Sequence, residues 1–270
     1  MTSKDKWSIQ NRNHIALSDS EAELYDEEYA ENNYQTRQYM KFEEGILLNV
    51  VSQVLDTGLA IDLGCGTGRD LFKYADKFDS VIGWDFSEKM IEVTARKAKE
   101  NGYSNVIAEV RDVEKEGFAG IKTGSVGFIN AGFGMGSFIR DLPKFTCDVH
   151  RVLSDGGTFM TTFYNKDSIV QFMDSKCFAA IPDVENNTLT VDTGNNQFVI
   201  PCISYTVNEL KDIFSKQFEI TALYTYPTIS TIVSNGVLNV PQIKKAIIQL
   251  EEAAKESLWG HYIVLLCRKK

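Results

Sequence analysis

The sequence has no cysteines at metal-ligand spacing and no apolar run long enough to cross a bilayer. Its five cysteines (Cys65, Cys147, Cys177, Cys202 and Cys267) are an odd number without a C-x-x-C or C-x-x-x-C pattern. A disulfide framework and a zinc site are therefore disfavoured, and a reducing, cytoplasmic setting is expected. The most notable apolar run, Tyr262 to Cys267, falls far below the ~20 residues of a spanning helix. Residues 1–13 carry lysines with no apolar stretch behind them, so no secretory signal is expected. Positive charge is also scarce: 28 Lys+Arg against 37 Asp+Glu give a formal net charge of −9. That balance opposes attraction to phosphate backbones, and neither nucleic acid nor membrane is an expected partner.

What remains is an ordinary globular composition, 43% hydrophobic over 270 residues, enough for one large α/β domain with a sizeable core. Ser18 with Glu21, and Ser20 with Glu23, fit capping boxes and predict a helix starting at Ser18. A second helix is expected from about Tyr34 to Leu55, with Met40, Ile46, Leu47, Val50, Val51 and Val54 on one stripe. From Leu59 the pattern alternates. Strands are expected at 59–63, 80–85, 106–110, 125–130 and 156–164, with helices at 70–78, 87–101 and 143–153 between them. This alternation predicts right-handed βαβ units and a mostly parallel sheet. Beyond Tyr164 the rhythm breaks. Residues 188–192 and 197–201 read as a hairpin turning at 193–196, within an insert of about 165–205 that could cover a site. Thr206 with Glu209 caps another helix, and strands at 218–226 and 261–267 flank a helix from Pro241 to about Glu256. The expected organisation is a helical cap over residues 1–57 and an α/β domain over 58–270.

The informative stretch is Ala60 to Asp70. A buried strand carrying Asp62 ends in Gly64, Gly66 and Gly68 at alternate positions, and then a helix begins. Such glycines let the chain turn tightly and let a ligand lie on bare backbone at the carboxyl end of the sheet. A dinucleotide fingerprint needs a third glycine at position 69, which is Arg, and a phosphate loop needs a lysine that is absent.

The remaining pattern, D-x-G-x-G-x-G, resembles the S-adenosylmethionine-binding loop of class I methyltransferases. The resemblance continues with Asp85 at the end of the second strand, 21 residues after Gly64, and Asp112 after the third. It extends to Asn130-Ala131-Gly132 after the fourth strand and to the turn Arg151 to Gly157 before the fifth. It implies a seven-stranded, mostly parallel Rossmann-like sheet with an antiparallel last strand and helices on both faces. It also implies S-adenosylmethionine as cofactor and S-adenosylhomocysteine as product. Asp85 would hold the ribose hydroxyls and Asp112 the adenine amine, while Asn130 and Ala131 would pass beneath the methionine part. Asp62, Gly64, Cys65, Gly66, Gly68, Phe86, Met90 and Val113 would complete the cofactor site.

In-line methyl transfer is mostly a matter of positioning. Tyr25, Tyr29 and Tyr34 are candidates for an aromatic wall over the cofactor, with Arg37 pairing its carboxylate. Phe133, Phe138 and Tyr164 lie near the strand ends. No general base stands out among His14, His150 and His261; candidates to touch the reacting atoms are Tyr29, Tyr34, Asn130, Tyr164 and His261. The acceptor is expected to be a small molecule or peptide, with a mild tilt towards nitrogen because no base is committed. Two alternatives stay open: transfer or cyclisation of the aminocarboxypropyl arm, and a non-catalytic cofactor-binding protein.

Overall fold

The computed structural model describes residues 3–27, 34–172, 180–193, 196–233, 235–238 and 240–270. Seven strands form one sheet: β1 (Leu59–Leu63), β2 (Ser80–Asp85), β3 (Val106–Val110), β4 (Val126–Ala131), β5 (Leu153–Tyr164), β9 (Phe218–Tyr226) and β10 (Tyr262–Lys269). Their order is β3-β2-β1-β4-β5-β10-β9. Strands β1 to β5 pair in parallel, and β10 runs antiparallel to both β5 and β9. The chain order reverses between β1 and β4, so a crevice opens there at the carboxyl edge.

Alternate residues feed two cores. Ala60, Phe128, Met160 and Val264 face one side of the sheet, and Ile61, Ile129, Phe159 and Leu265 face the other. The first side is covered by α2 (Tyr34–Gln53), which buries Leu47, Val50 and Val51 as its stripe predicts. The second is covered by α6 (Leu142–Val152) and α7 (Val207–Phe214). The start of α7 follows from sequence, since Thr206 and Glu209 form the expected reciprocal capping box. Between these lie α3 (Leu71–Tyr74), α4 (Glu88–Glu100) and α5 (Val113–Glu116). Helix α3 is shorter than expected, because a single turn of tighter helix, Ala75–Lys77, replaces its second half.

Two pieces lie outside this frame. The insert after β5 is a three-stranded antiparallel sheet, β6 (Pro182–Asp183), β7 (Thr188–Asp192) and β8 (Gln197–Pro201). The predicted hairpin pairing is present, from Thr188 opposite Pro201 to Asp192 opposite Gln197. Its turn residues Gly194 and Asn195 lie outside the described residues. Near the C-terminus come α8 (Asn235–Leu238) and α9 (Pro241–Ala254).

The other piece is α1, Ser3–Glu21, and here the expectation needs correcting. Ser18 and Ser20 do not start a helix; they end one, and the Ser20 hydroxyl donates back to the Leu17 carbonyl at 2.7 Å. Helix α1 has no apolar stripe to announce it. Its anchors are tertiary: Asn13 donates to the Val199 carbonyl of β8 at 3.1 Å, and Trp7 Nε1 to Glu114 at 3.1 Å. Ser87, at the start of α4, donates to Asp19 at 2.5 Å. In the turn beyond α1, Glu23 forks onto Arg96, and Thr67 donates to Asp26 at 2.7 Å. Helix α1 thus rests on the insert along one side and on α4 along the other, across the carboxyl edge of the sheet.

Candidate functional site

The turn after β1 opens the site. Gly64, Gly66 and Gly68 have φ of +67°, +53° and +79°, a left-handed region that L side chains rarely adopt. At Gly68 a Cβ would also come within 2.4 Å of the Phe72 ring, so this glycine closes the turn onto its helix. At Gly66 the nearest atom to a Cβ is Met90 Sδ at 4.0 Å, so that backbone faces open space. The space is a cavity of about 230 Å³ between the sheet edge, α1 and the insert.

Asp62 and Asn130 are register partners on β1 and β4, which explains why Asn130 Nδ2 donates to Asp62 Oδ2 at 3.2 Å. Tyr74 donates to the same oxygen at 2.6 Å. Burial pushes the Asp62 carboxyl up to about 7. Asp85 closes β2 and accepts the amides of Gly66 at 3.0 Å and Ser87 at 2.8 Å, and burial raises it to about 6. The second acid therefore fixes the shape of the glycine loop as well as facing the cavity. Asp112 caps α5 through the amides of Glu114 and Lys115, with the Lys115 ammonium at 2.6 Å.

The raised Asp62 value makes a stability prediction. A carboxyl whose folded value lies above its unfolded value of 3.8 stabilises the protein while protonated. That contribution is complete in acid and is lost as pH rises through about 7. Asp62→Asn keeps the shape and an acceptor for Tyr74. Its stability relative to the parent should rise by about 1.4 kcal/mol between about pH 6 and 8, read by urea unfolding. A difference independent of pH would leave Asp62 ionised throughout.

Most of the predicted cofactor residues converge on the cavity. Asp62, Gly64, Cys65 and Gly66 line it, as do Asp85, Phe86 and Met90. So do Asp112, Val113 and Asn130. Ala131 is buried in β4 and Gly68 in its turn, and neither is a lining residue. Of the aromatic candidates, Tyr25, Phe133, Phe138 and Tyr164 line the cavity. Tyr29 lies outside the described residues; Tyr34 opens α2, and its side chain is likewise outside them.

Two placements differ from expectation. Arg37 is half-buried on α2 away from the lining, and the cavity's arginine beside the glycine loop is Arg69. Arg69 forks onto Asp70 at 3.2 and 2.5 Å and lies 5.0 Å over the Phe133 ring. His261 is fully buried behind Tyr164, with Nε2 3.1 Å from the Ala180 carbonyl. Burial holds its ring neutral down to about pH 3, and it does not line the cavity. Its place at the start of β10 puts it under the insert rather than at the crevice.

Two residues are additional to the predicted site. His14 of α1 lines the cavity, 4.8 Å edge-on from Phe86 and 4.5 Å from Phe138, measured between ring centres. Glu43 of α2 reaches the loop after β4, where its Oε1 accepts the Phe133 amide at 2.6 Å and the Tyr39 hydroxyl at 3.1 Å. Phe133 needs that hold, because it is a non-glycine residue at φ +51°. The glycines after β4 mostly serve packing. A Cβ at Gly136 would sit 2.3 Å from Phe163, and Gly134 is left-handed with its amide donating to Thr162.

A doubly wound sheet with an acid-flanked glycine loop at its switch point, beneath a separate roof, defines an α/β enzyme class that binds adenosine-type cofactors at the carboxyl edge. The chain belongs to the methyltransferase-domain family, whose model matches residues 57–219, more than half of the 270. It is similar to aklanonic acid methyltransferase from Streptomyces, 37% identical over 71 residues, which are 25% of this chain and 32% of that protein. It is also similar to demethylmenaquinone methyltransferase from Lactococcus lactis, 34% identical over 108 residues. That match covers 37% of this chain and 40% of the relative, so both alignments span well under two thirds of the curated relatives. Its fold is that of an S-adenosylmethionine-dependent methyltransferase from Clostridium acetobutylicum. The TM-score is 0.61 at 16% identity, over 94% of this chain and 99% of the other.

Proposed function

We propose that this chain transfers a methyl group from S-adenosylmethionine to a small organic acceptor. The observation that carries the reading is the convergence of Asp62, Asp85 and Asp112, from three strand ends, on the cavity opened by the glycine loop. When bound, S-adenosylmethionine supplies a methyl electrophile on a cationic sulfur. Asp85 is suited to accept the ribose hydroxyls, with Phe86 and Val113 flanking the adenine and Asp112 reaching its amine. Arg69 Nη1 and Asn130 Oδ1 are buried without hydrogen-bond partners among the described residues, one a donor and one an acceptor. A zwitterionic amino-acid group uses both, which fits the methionine end of the cofactor. The aromatic rings of Phe133, Phe138 and Tyr164 suit a cationic sulfur and exclude water around it.

Both curated relatives are named for small organic acceptors, which supports a small molecule over a peptide. No helix among the described residues is long and apolar enough to cross a membrane. The tilt towards a nitrogen acceptor rested on the lack of a visible base, and His14 in the cavity removes that ground. Calorimetry with S-adenosylhomocysteine tests the reading, and absence of binding would overturn it. Product analysis separates the chemistries: S-adenosylhomocysteine marks methyl transfer, methylthioadenosine marks transfer of the aminocarboxypropyl arm, and binding without either marks a non-catalytic protein.

Asp112 offers a narrower check. Asp112→Ala should narrow the preference for the adenosyl cofactor over an analogue lacking the six-amino group, beyond the ~1 kcal/mol cost of losing the α5 cap. Equal discrimination by both proteins would place Asp112 outside the adenine pocket.

A further inference from the structure

The lining other than the cofactor residues includes Leu17 of α1, Leu189, Val191 and Ile200 of the insert, and Phe138 and Tyr164, while Asn11, Ser18 and Glu21 are the polar members that α1 adds besides His14. The side chains of the insert, Leu17 and Phe138 are carbon surfaces, and that side of the cavity disfavours a charged body and suits a flat apolar one. The other titratable groups of the cavity are engaged with the protein. Asp85 holds two loop amides and Asp112 caps α5. Glu114 accepts from Trp7 and from the Arg140 amide. Arg111 donates to the Ala119 carbonyl and stacks 4.1 Å over Trp84. Asp70 is clamped by Arg69, Asp62 by Tyr74 and Asn130, and the Tyr164 hydroxyl receives that of Tyr262. Glu21 lies two turns along α1, ~10 Å on, beside Tyr25.

His14 differs from all of these. Phe86 and Phe138 fix the plane of its ring, yet neither ring nitrogen makes a hydrogen bond to a described residue. Burial draws the imidazole down to about 4, so it stands as the free base at neutral pH. Phe138 continues edge-on to Tyr164 at 6.4 Å, which links His14 to the apolar compartment. Building on the methyltransferase reading above, we infer that His14 takes the acceptor's proton, and that the acceptor is a small, flat, apolar molecule with an ionisable hydroxyl, a phenol or enol.

The step balances. The hydroxyl proton passes to a ring nitrogen of His14, and the oxygen's electron pair forms the new bond to the methyl carbon. The carbon–sulfur bond breaks with its pair left on sulfur, so one positive charge leaves sulfur and one appears on the imidazole. Products are the methyl ether and S-adenosylhomocysteine, and the imidazolium returns its proton to water. A neutral base suits such a site, since a second resident cation would repel the sulfonium.

The test uses the full chain with para-cresol, para-nitrophenol and para-toluidine as probes, and His14→Gln and His14→Phe as variants. Para-cresol keeps its proton at neutral pH, like the tyrosine side chain at about 10; para-nitrophenol is largely ionised at a mildly alkaline assay pH. Both variants should lose on the order of 100-fold in kcat on para-cresol but little on para-nitrophenol. Affinity for S-adenosylhomocysteine by calorimetry should be unchanged. An equal loss on both phenols, or a loss of S-adenosylhomocysteine affinity, would make His14 a packing or cofactor residue and overturn the proposal. Methylation of para-toluidine but of neither phenol would overturn the acceptor class. If the parent itself does not bind S-adenosylhomocysteine, it is the methyltransferase reading that fails.

Discussion

Replacing Gly66 by valine is expected to abolish binding of S-adenosylhomocysteine while leaving the protein folded. The backbone there is left-handed at +53°, which a β-branched residue adopts at a cost of about 1–2 kcal/mol. Inside the protein there is room, because the nearest atom to the new Cβ is Met90 Sδ at 4.0 Å. The side chain therefore stands in the cavity itself. Affinity should fall by more than about 100-fold, the equivalent of ~3 kcal/mol, while Tm falls by only ~3–6 °C. Gly102 supplies the control. It is also left-handed, at +77°, with nothing within 4 Å of a Cβ, and it follows α4 away from the site. Gly102→Val should lose similar stability and keep full affinity. If both variants bind equally well, the glycine loop does not face the cofactor.

Asp85→Asn should weaken S-adenosylhomocysteine binding by about 10- to 150-fold, since hydrogen bonds to a charged group contribute roughly 1.5–3 kcal/mol. Asparagine, rather than alanine, retains one acceptor for the amides of Gly66 and Ser87, which this carboxylate also serves. The loop then keeps most of its shape, and the loss reads on the ligand. A cycle with an analogue lacking the ribose hydroxyls isolates the contact: removing them should cost the parent affinity and cost the variant little more. Additive losses would mean that Asp85 acts only through the loop.

The parallel sheet was legible because its inner strands are buried on both faces and bounded by turn residues, while β3 at the edge keeps Ile107 and Val110 exposed. Stretches such as 59–63 and 125–130 need nothing from elsewhere to declare themselves. The residues predicted to hold the cofactor were legible for a related reason: glycines and acids at strand ends are local features of a backbone that opens onto a cavity. The roof was not. Helix α1 holds its position through Asn13, Trp7 and Asp19, polar contacts to distant segments, so apolar periodicity does not reveal it, and the two S-x-x-E patterns in its last turn read as a start. A signal was nonetheless present. Asn11, His14, Ser18 and Glu21 follow in steps of three and four and all line the cavity, one face of α1 written in polar letters. His261 misled for the converse reason. A histidine at the mouth of a strand reads as available, and only the tertiary fold shows the Ala180 carbonyl against it.

The roof comes from two lengths of chain, α1 with the turn after it and the β6–β8 sheet, and neither supplies a strand to the main sheet. The three acids predicted to hold the cofactor stand instead at the sheet's strand ends, Asp62 in β1, Asp85 in β2 and Asp112 just after β3, so the two layers are free to vary separately. A descendant could exchange either roof segment and change that wall of the cavity without disturbing the strand-end lining. The Thr67–Asp26 bond marks where such an exchange meets its limit. There the roof touches the glycine loop directly, and a substitute segment would have to present an acceptor to Thr67, as it would to Ser87 and Arg96 where Asp19 and Glu23 now stand.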